Sequence, residues 1–245
     1  MANTRYPNIV EFEVSGDYAL FSDPLYRVGG EKCSYQVPTY EALKGIISSV
    51  YWKPTFIWYI DEVRIMNTIK METKGIKPVK YNGGNDLSYY TYLKDCRYQV
   101  RAHFEWNENR PELKEDRNEN KHHNIAKRMI DKGGRRDVFL GTRECQGYVQ
   151  PCIFGEGQGA YDEVKEIAFG FMYHGMTYAD EAYSEETKNM LTANFWNPVM
   201  KNGIIEFVRP EHCPKHKAIH EMRVKEFSNA KENFMGLREY DSEVI

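Results

Sequence analysis

The sequence predicts an α+β fold whose N-terminal part is ferredoxin-like, with the element order βαββαβ. The first observation is composition: segments 9–21, 56–66 and 98–106 are rich in the β-branched and aromatic residues of strands, and a fourth strand is predicted to begin at Val138. The second is periodicity, because one helical pattern follows the first predicted strand and another follows the third. The same order occurs in RNA-recognition domains, which makes the predicted domain RRM-like.

The first helix is predicted between Thr39, which can cap its N-terminus, and Pro54, which cannot continue a helix. Its apolar residues recur at i, i+3, i+4, i+7 and i+8 and so form one stripe that faces the core. The stripe consists of Leu43, Ile46, Ile47, Val50 and Tyr51. The second helix is predicted over residues 121–132, and Gly133 would end it.

The third predicted strand alternates apolar and polar residues, and the preceding segment 67–97 is predicted to form a long β-hairpin. This hairpin interleaves tyrosines with lysines. Since cations bind phosphates and aromatic rings stack on bases, Lys74, Lys77 and Lys80 are candidate RNA-binding residues. A hairpin with ordinary surface lysines accounts for the same composition equally well.

The net charge of −3 argues against a general nucleic-acid binder, yet segment 121–145 carries seven Lys and Arg residues against three Asp and Glu residues. No stretch approaches the roughly 20 apolar residues of a membrane helix, and the N-terminus lacks a signal-peptide pattern. We therefore expect a soluble, cytoplasmic protein that has no membrane partner. The five cysteines include no CxxC pair, which is typical of reduced thiols.

No cofactor and no metal site are predicted. His212, Cys213, His216 and His220 could ligate zinc, but Pro214 interrupts the segment and no second ligand cluster follows. A charged surface turn is the favoured interpretation. The glycines of segment 155–159 lack the strand-to-helix context of a dinucleotide site, and we expect a loop there.

Positive charge stands at the predicted N-terminus of the second helix. Lys121, His122 and His123 lie there, although the helix dipole disfavours cations at this end. A bound anion would remove the conflict, and phosphate is the common candidate. The sequence therefore points to phosphate chemistry.

The ferredoxin-like order places the two helices side by side and antiparallel, so that Tyr51 is expected near Lys121 and His122. A phenol, an ammonium and an imidazole can cleave RNA without a metal ion. The RNA 2′-hydroxyl is the nucleophile, and the enzyme moves protons and stabilises charge on the phosphorane. The sequence does not apportion these roles. In the alternative interpretation Tyr51 is only a core residue of the apolar stripe.

A basic loop follows the second helix. Gly133 and Gly134 would let the backbone approach a phosphate, and Arg135 and Arg136 could form forked hydrogen bonds to its oxygens. We expect this loop to bind RNA rather than to make or break bonds. An exposed arginine pair matched to acidic neighbours is the alternative. Further candidate RNA-binding residues are Arg143, His123 and Lys53.

Five blocks of the sequence resemble one known family: residues 16–21, 37–46, 51–55, 133–149 and 154–161. Through them the chain, to about Arg209, is similar to the CRISPR-associated RAMP endoribonucleases of type I-C systems, also called the Dvulg subtype. The resemblance implies cleavage of the CRISPR repeat transcript (pre-crRNA) at the base of its hairpin. It also implies that the mature guide RNA (crRNA) stays bound while the protein joins other subunits in a surveillance complex.

The resemblance further implies roles for particular residues. Tyr51, Lys121 and His122 match the catalytic tyrosine, lysine and histidine of the family. Loop 133–136 matches a basic glycine loop that holds RNA phosphates. The alternative function is that of a non-catalytic subunit, which caps the 5′ handle of a crRNA made by another enzyme.

Two domains are expected from the resemblance. Residues 1–149 would form the ferredoxin-like RNA-processing domain, and residues 150–245 a small, mostly antiparallel β domain with an acidic tail. The strand-like segment 166–173 and the hairpin signal at Asn202-Gly203 fit such a second domain.

Overall fold

The structure is a computed structural model and describes residues 7–24, 26 and 30–224. The first part of the chain contains β1 (Val10–Ala19), β2 (Lys32–Cys33), α1 (Tyr40–Val50), β3 (Phe56–Ile65), β4 (Lys70–Ile76), β5 (Ser88–Trp106), α2 (Glu119–Asp131), β6 (Val138–Phe139) and β7 (Gln146–Pro151). The second part contains β8 (Ile167–Ala168), β9 (Met172–Thr177), β10 (Met190–Trp196), β11 (Val199–Lys201), β12 (Ile204–Glu206) and β13 (Lys215–Glu221). Short 3-10 helices span Pro111–Asp116, Ala179–Glu181 and Pro210–His212.

The fold is mixed α/β with mostly antiparallel sheets. The main sheet has the strand order β6-β7-β1-β5-β3-β12-β11-β8, and β2 and β4 also pair with β5. Strand β2 runs parallel to β5, whereas β1, β3 and β4 run antiparallel to it. Along the chain, helix α1 lies between β2 and β3, and helix α2 lies between β5 and β6.

Helix α1 begins and faces the core as predicted. The Thr39 hydroxyl accepts a hydrogen bond from the Ala42 amide at 3.2 Å and caps the helix. Val100 and Phe104 of β5 are buried in the same core. The predicted stripe is buried at Leu43, Ile46, Ile47 and Val50. Burial of each such side chain contributes about 1.5–3 kcal/mol, which holds the helix against the sheet.

Helix α2 begins at Glu119 rather than at Lys121, a correction to the sequence analysis. The Asn118 side chain caps the helix by accepting a hydrogen bond from the Lys121 amide at 3.0 Å. The first turn therefore contains the carboxylate of Glu119, which suits the helix dipole. The predicted end is confirmed, because Gly133 follows the helix with a φ of +79°.

Two strand predictions also change. Strand β5 begins at Ser88, well before the predicted start, because β4 pairs with its first half to form the long hairpin. The strand predicted to begin at Val138 is only two residues long, and β7 is the strand that pairs with β1. Gly141 turns the chain between β6 and β7 with a φ of +94°, and a Cβ there would lie 2.1 Å from the Leu20 carbonyl oxygen. Only glycine fits this turn.

The face of the sheet opposite the helices is covered by ion pairs and by a loop. Arg101 of β5 pairs with Glu11 at 3.0 Å and with Glu62. Arg64 of β3 donates to the Gly157 carbonyl at 2.9 Å, which ties segment 155–159 to the sheet as a loop. This face therefore differs from the sheet of RNA-recognition domains, whose exposed aromatic rings stack on bases.

The second part of the chain contributes to two sheets. Strands β8, β11 and β12 extend the main sheet beside β3, whereas β9, β10 and β13 form a separate three-stranded sheet. The predicted hairpin turn is confirmed, since Asn202 and Gly203 have φ angles of +49° and +77° between β11 and β12. Main-sheet strands come from both sides of the boundary expected at 149/150, and the division into domains stays a prediction.

The acidic tail of the predicted second domain falls in residues 225–245, outside the described part of the chain. Neither helix of the described residues has the length and apolar character needed to span a bilayer.

Candidate active site

Tyr51 lies where α1 gives way to extended chain. Its amide still bonds to the Ile47 carbonyl at 2.9 Å, but its own φ and ψ of −155° and 126° leave the helix. The Trp58 indole donates to the Tyr51 carbonyl at 2.7 Å and so fixes the residue against β3. The side chain turns inward and keeps only 4% of its surface exposed.

His122 lies in the first turns of α2 and meets Tyr51 in the interior. Its ring is fully buried, with the rings of Phe56 and Trp106 at centroid distances of 5.3 Å and 5.8 Å. The His122 Nε2 lies 2.8 Å from the Asp116 carbonyl oxygen, which can only accept a hydrogen bond, so Nε2 carries a proton. In the neutral ring Nδ1 then accepts from the Tyr51 hydroxyl, 2.7 Å away. The structure thus confirms that Tyr51 and His122 come together.

Lys121 points toward Asp116 rather than toward Tyr51. Its Nζ lies 2.5 Å from Asp116 Oδ1, and the Thr55 hydroxyl donates to Asp116 Oδ2 at 2.8 Å. The second carboxylate oxygen is also 3.5 Å from His122 Nε2. Asp116 therefore joins the lysine to the histidine, and the sequence analysis missed it.

The arrangement shifts two pKa values. Burial, followed by the charge of Asp116, raises the pKa of Tyr51 to about 12, and the nearby charge of Arg135 opposes this shift. For Asp116 burial acts to raise the pKa, but hydrogen bonds from Lys121 and Thr55 outweigh burial and leave the pKa below its ordinary value. The cation that acts to lower the pKa of Tyr51 is therefore Arg135 rather than Lys121.

The charge conflict predicted at the start of α2 is resolved within the protein. Glu119 lies in the first turn, and the Asp116 carboxylate neutralises Lys121. No external anion is needed to stabilise this helix end. Phosphate binding is therefore expected at the exposed cations nearby rather than at this helix end.

The basic loop after α2 offers side chains rather than backbone amides. The amides of Gly133 and Gly134 donate to the carbonyls of Ile130 and Met129 at 2.9 Å and 2.8 Å, so they cap the helix. These two amides are therefore engaged within the protein, and RNA binding at Gly133 and Gly134 stays a prediction. Arg135 and Arg136 are exposed, and neither forms an ion pair within the described residues.

A cleft of about 660 Å³ lies next to Tyr51, which does not line it itself; Phe56, whose ring is 5.7 Å from the Tyr51 ring, does. Arg135 and Arg136 line it together with Lys53 and Trp52, the residues that follow Tyr51 in sequence. Sequence reasoning had no means to find this cleft, since it also involves the 3-10 helix Ala179–Glu181 of the second part of the chain.

None of the other candidate RNA-binding residues lines this cleft. The His123 Nε2 donates to the Ile9 carbonyl at 3.0 Å and supports β1. Arg143 is exposed in the turn between β6 and β7. The hairpin lysines occupy the far end of β5: Lys74 lies 3.3 Å from the Tyr18 ring centroid, and Lys80 lies 3.7 Å from Asp86. Lys77 follows β4 and is exposed.

The histidine-rich segment near the end of the described chain is not gathered around a common point. His216 Nδ1 lies 2.9 Å from the Asn194 side-chain oxygen, and His220 Nδ1 lies 2.7 Å from the Glu221 carbonyl. Among the described residues no three potential metal ligands converge.

Comparison with known protein families identifies the family of this chain. A family model described as CRISPR-associated protein (Cas_Cas5) matches residues 9–208, which is most of the chain. The chain belongs to this family. This match confirms the family that the five sequence blocks predicted.

Two curated relatives are each named CRISPR pre-crRNA endoribonuclease Cas5d. The protein of Mannheimia succiniciproducens is 26% identical over 227 residues, which cover 81% of this chain and 94% of the relative. The protein of Thermus thermophilus is 30% identical over 155 residues, which cover 58% of this chain and 63% of the relative. A solved structure described as "Crystal Structure of CRISPR-associated Protein" matches with a TM-score of 0.72 and 37% identity over 85% of this chain and 96% of that one.

Proposed function

We propose that this chain is a metal-independent endoribonuclease that cleaves the CRISPR repeat transcript at the base of its hairpin. The crRNA product then stays bound, and the chain becomes a subunit of a type I-C surveillance complex in the cytoplasm. One observation carries the proposal: the hydrogen-bond chain from Tyr51 through His122 to Asp116 lies beside a cleft with exposed cations. The names of the curated relatives support the substrate.

The direction of the hydrogen bonds supports one proton path. Tyr51 donates to His122 Nδ1, which leaves lone pairs on its oxygen to accept the proton of the RNA 2′-hydroxyl. As the 2′-oxygen bonds to phosphorus, Tyr51 takes that proton and passes its own to His122. Because the pKa of Tyr51 is about 12, a free phenolate is scarce at neutral pH, and the two transfers must be concerted. His122 itself is fully buried and acts only through Tyr51.

The remaining charges have separate tasks. The Asp116 carboxylate compensates the imidazolium that forms on His122. Lys121, whose side chain is half exposed, stabilises negative charge on the phosphorane and on the departing 5′-oxygen, which takes up a proton from water. The products are a 2′,3′-cyclic phosphate and a 5′-hydroxyl. Arg135, Arg136 and Lys53 bind flanking phosphates along the cleft.

We also propose that residues 1–149 form a ferredoxin-like domain and residues 150–245 a second, β-rich domain. The neighbour order β7-β1-β5-β3 with two intervening helices supports the first assignment. The separate sheet of β9, β10 and β13 supports the second.

Purified protein and its own repeat RNA test the proposed function. We expect cleavage at an unchanged rate in EDTA, and no cleavage when the nucleotide 5′ of the scissile bond lacks its 2′-hydroxyl, although that RNA still binds. Cleavage of the deoxy substrate would contradict 2′-hydroxyl attack. A rate that depends on added magnesium would contradict metal independence.

A non-catalytic role, in which the chain caps the 5′ handle of a crRNA made by another enzyme, is the second candidate. The burial of Tyr51 and His122 favours it, because RNA reaches neither ring fully in this arrangement. The same assay separates the two functions: binding of mature crRNA without cleavage of any repeat RNA would establish the capping role.

A further inference from the structure

Trp52 exposes a large aromatic surface beside the candidate active site. Its exposed fraction is 46%, compared with 1% for Trp58 and 4% for Trp196. The extended backbone at Tyr51 causes this, since consecutive side chains of extended chain point to opposite sides. Tyr51 turns inward to His122, and Trp52 therefore turns outward.

The indole lies in the wall of the 660 Å³ cleft together with Lys53, Arg135 and Arg136. None of these three cations forms an ion pair within the described part of the chain. Cations interleaved with an exposed ring are what single-stranded nucleic acid requires, because phosphates need charge and bases need a flat apolar partner. The volume lies in the range of ordinary small-ligand sites.

Other residues that line the cleft carry negative charge and give it a polarity. Glu41, Asp180 and Glu181 line the cleft as well: Glu181 pairs with Lys44 at 2.5 Å and Asp180 with Arg110 at 3.3 Å, whereas Glu41 forms no ion pair within the described residues. The Glu41 carboxylate repels phosphate, which favours the side of Lys53 and the two arginines for the sugar-phosphate chain. The base then has the indole as its stacking partner.

We propose that Trp52 is a stacking platform for one unpaired nucleotide close to the scissile phosphate. This inference rests on the proposed function and deepens it. Tyr51 and Trp52 are consecutive residues, about 3.8 Å apart at Cα, and their side chains point to opposite sides, so a base on the indole lies within a few nucleotides of the one attacked at Tyr51. A base held in a duplex is stacked on its neighbours and cannot present its face to the indole. Trp52 thus makes the enzyme specific for a repeat that is single-stranded near the cleavage position.

A thermodynamic cycle tests the platform through binding alone. The RNA carries a 2′-deoxy nucleotide at the cleavage position, and each of the two nucleotides on either side of the scissile bond is made abasic in turn. We expect Trp52→Ala to weaken binding of the intact RNA by about 5- to 150-fold, the usual range for loss of one stacked base. At one of these four nucleotides, the abasic change should weaken RNA binding by the wild-type protein as much as Trp52→Ala does. The same abasic change should not weaken RNA binding by the Trp52→Ala variant any further.

Controls separate the platform from folding and from the proposed function. Trp52→Phe keeps a ring and should recover most of the affinity, whereas Tyr148→Ala removes another exposed ring, 66% exposed and outside the cleft, and should change nothing. If the losses of affinity from Trp52→Ala and from the abasic change multiplied at all four nucleotides, Trp52 would stack on none of these bases. The platform would then be overturned, and the exposed indole would be assigned to a protein contact. Failure of the wild type to cleave intact repeat RNA would remove the proposed catalytic function, while the cycle would still decide the platform.

Discussion

The two ends of β5 hold aromatic and basic groups in opposite ways. At its C-terminal end Trp106 helps to enclose His122, and both ring nitrogens of that histidine have a partner. At its N-terminal end, in the hairpin, Tyr89 is 50% exposed and Lys74 lies against the ring of Tyr18 at the surface. The ends are about 60 Å apart along the strand at roughly 3.3 Å per residue.

The difference separates chemistry from binding. Proton transfer requires atoms held at hydrogen-bond distance, which a packed interior provides. Binding of a long polyanion depends on summed phosphate contacts, and exposed side chains that adjust to the RNA can make them. We therefore expect substitutions at the enclosed end to change the rate and substitutions at the exposed end to change affinity.

The largest effect is expected at the enclosed end. Tyr51→Phe removes the hydroxyl without emptying the core and should lower the single-turnover cleavage rate by roughly 100-fold or more, as should His122→Ala. Because the two residues act as one unit, the double variant should be no slower than the worse single variant. His123→Ala is the matched control and should cut at nearly the wild-type rate. Wild-type rates for both single variants would show that Tyr51 is only a core residue.

A smaller effect is expected for Asp116→Asn, which keeps the carbonyl that orients His122 but removes the compensating charge. We expect a cleavage rate about 10-fold lower at neutral pH. Glu119→Gln, a carboxylate lost from the first turn of the same helix, is the control. Equal rates for the two variants would remove Asp116 from the mechanism.

The same pair of variants tests the lowered pKa of Asp116 through stability. A depressed folded-state pKa contributes stability that is present above the unfolded value, near 3.8, and is lost as the pH falls through the folded value. Urea unfolding between pH 3 and 7 should therefore show a wild-type advantage over Asp116→Asn that shrinks at the acid end. A constant advantage across this range would contradict the assigned direction.

The two arginines of the cleft should differ by a few-fold. Arg135 acts to lower the pKa of Tyr51, so Arg135→Ala should reduce the rate at saturating RNA by a few-fold. Arg136→Ala should leave that rate unchanged. Each substitution should reduce the salt dependence of RNA affinity by about one unit of slope. Filter binding across a salt series measures the salt slope of RNA affinity, and single-turnover experiments measure the cleavage rate. Identical cleavage rates for the two variants would show that Arg135 only binds RNA.

The smallest effect is expected in the hairpin. Lys77 forms no ion pair within the described residues, whereas Lys74 lies against Tyr18 and 3.7 Å from Glu72. Lys77→Ala should weaken RNA binding a few-fold and lower the salt slope by about one. Lys74→Ala should mainly affect stability, by less than about 1 kcal/mol. A larger loss of affinity for Lys74→Ala than for Lys77→Ala would reverse this assignment.

Local patterns made much of the first part of the chain predictable. The stripe of α1, its Thr39 cap and the turn at Asn202-Gly203 each depend on residues close in sequence, and the structure has all three. The contact between Tyr51 and His122 followed from the element order, because two crossover helices on one sheet face bring opposite ends together.

Other features depend on long-range contacts that leave no local signal. The start of α2 was misplaced because Lys121 and His122 look unlike a helix interior until the Asp116 carboxylate beside them is known. Asp116 itself lies in a polar segment where an acidic residue is unremarkable. The strand β5 was predicted too short because its first half was assigned to the hairpin, whereas these residues continue the strand and pair with β4, with β2 and with the end of β1.

The burial of His122 has an evolutionary consequence. Its ring fills a space between Phe56, Phe104 and Trp106 in the core of the protein. A descendant that no longer cleaved RNA would still need an aromatic ring of this size here, since a smaller side chain would leave a cavity that destabilises the fold. The histidine would therefore persist long after selection for cleavage had ceased. Its presence in a related chain is evidence of shared ancestry and packing, and activity has to be measured for each descendant.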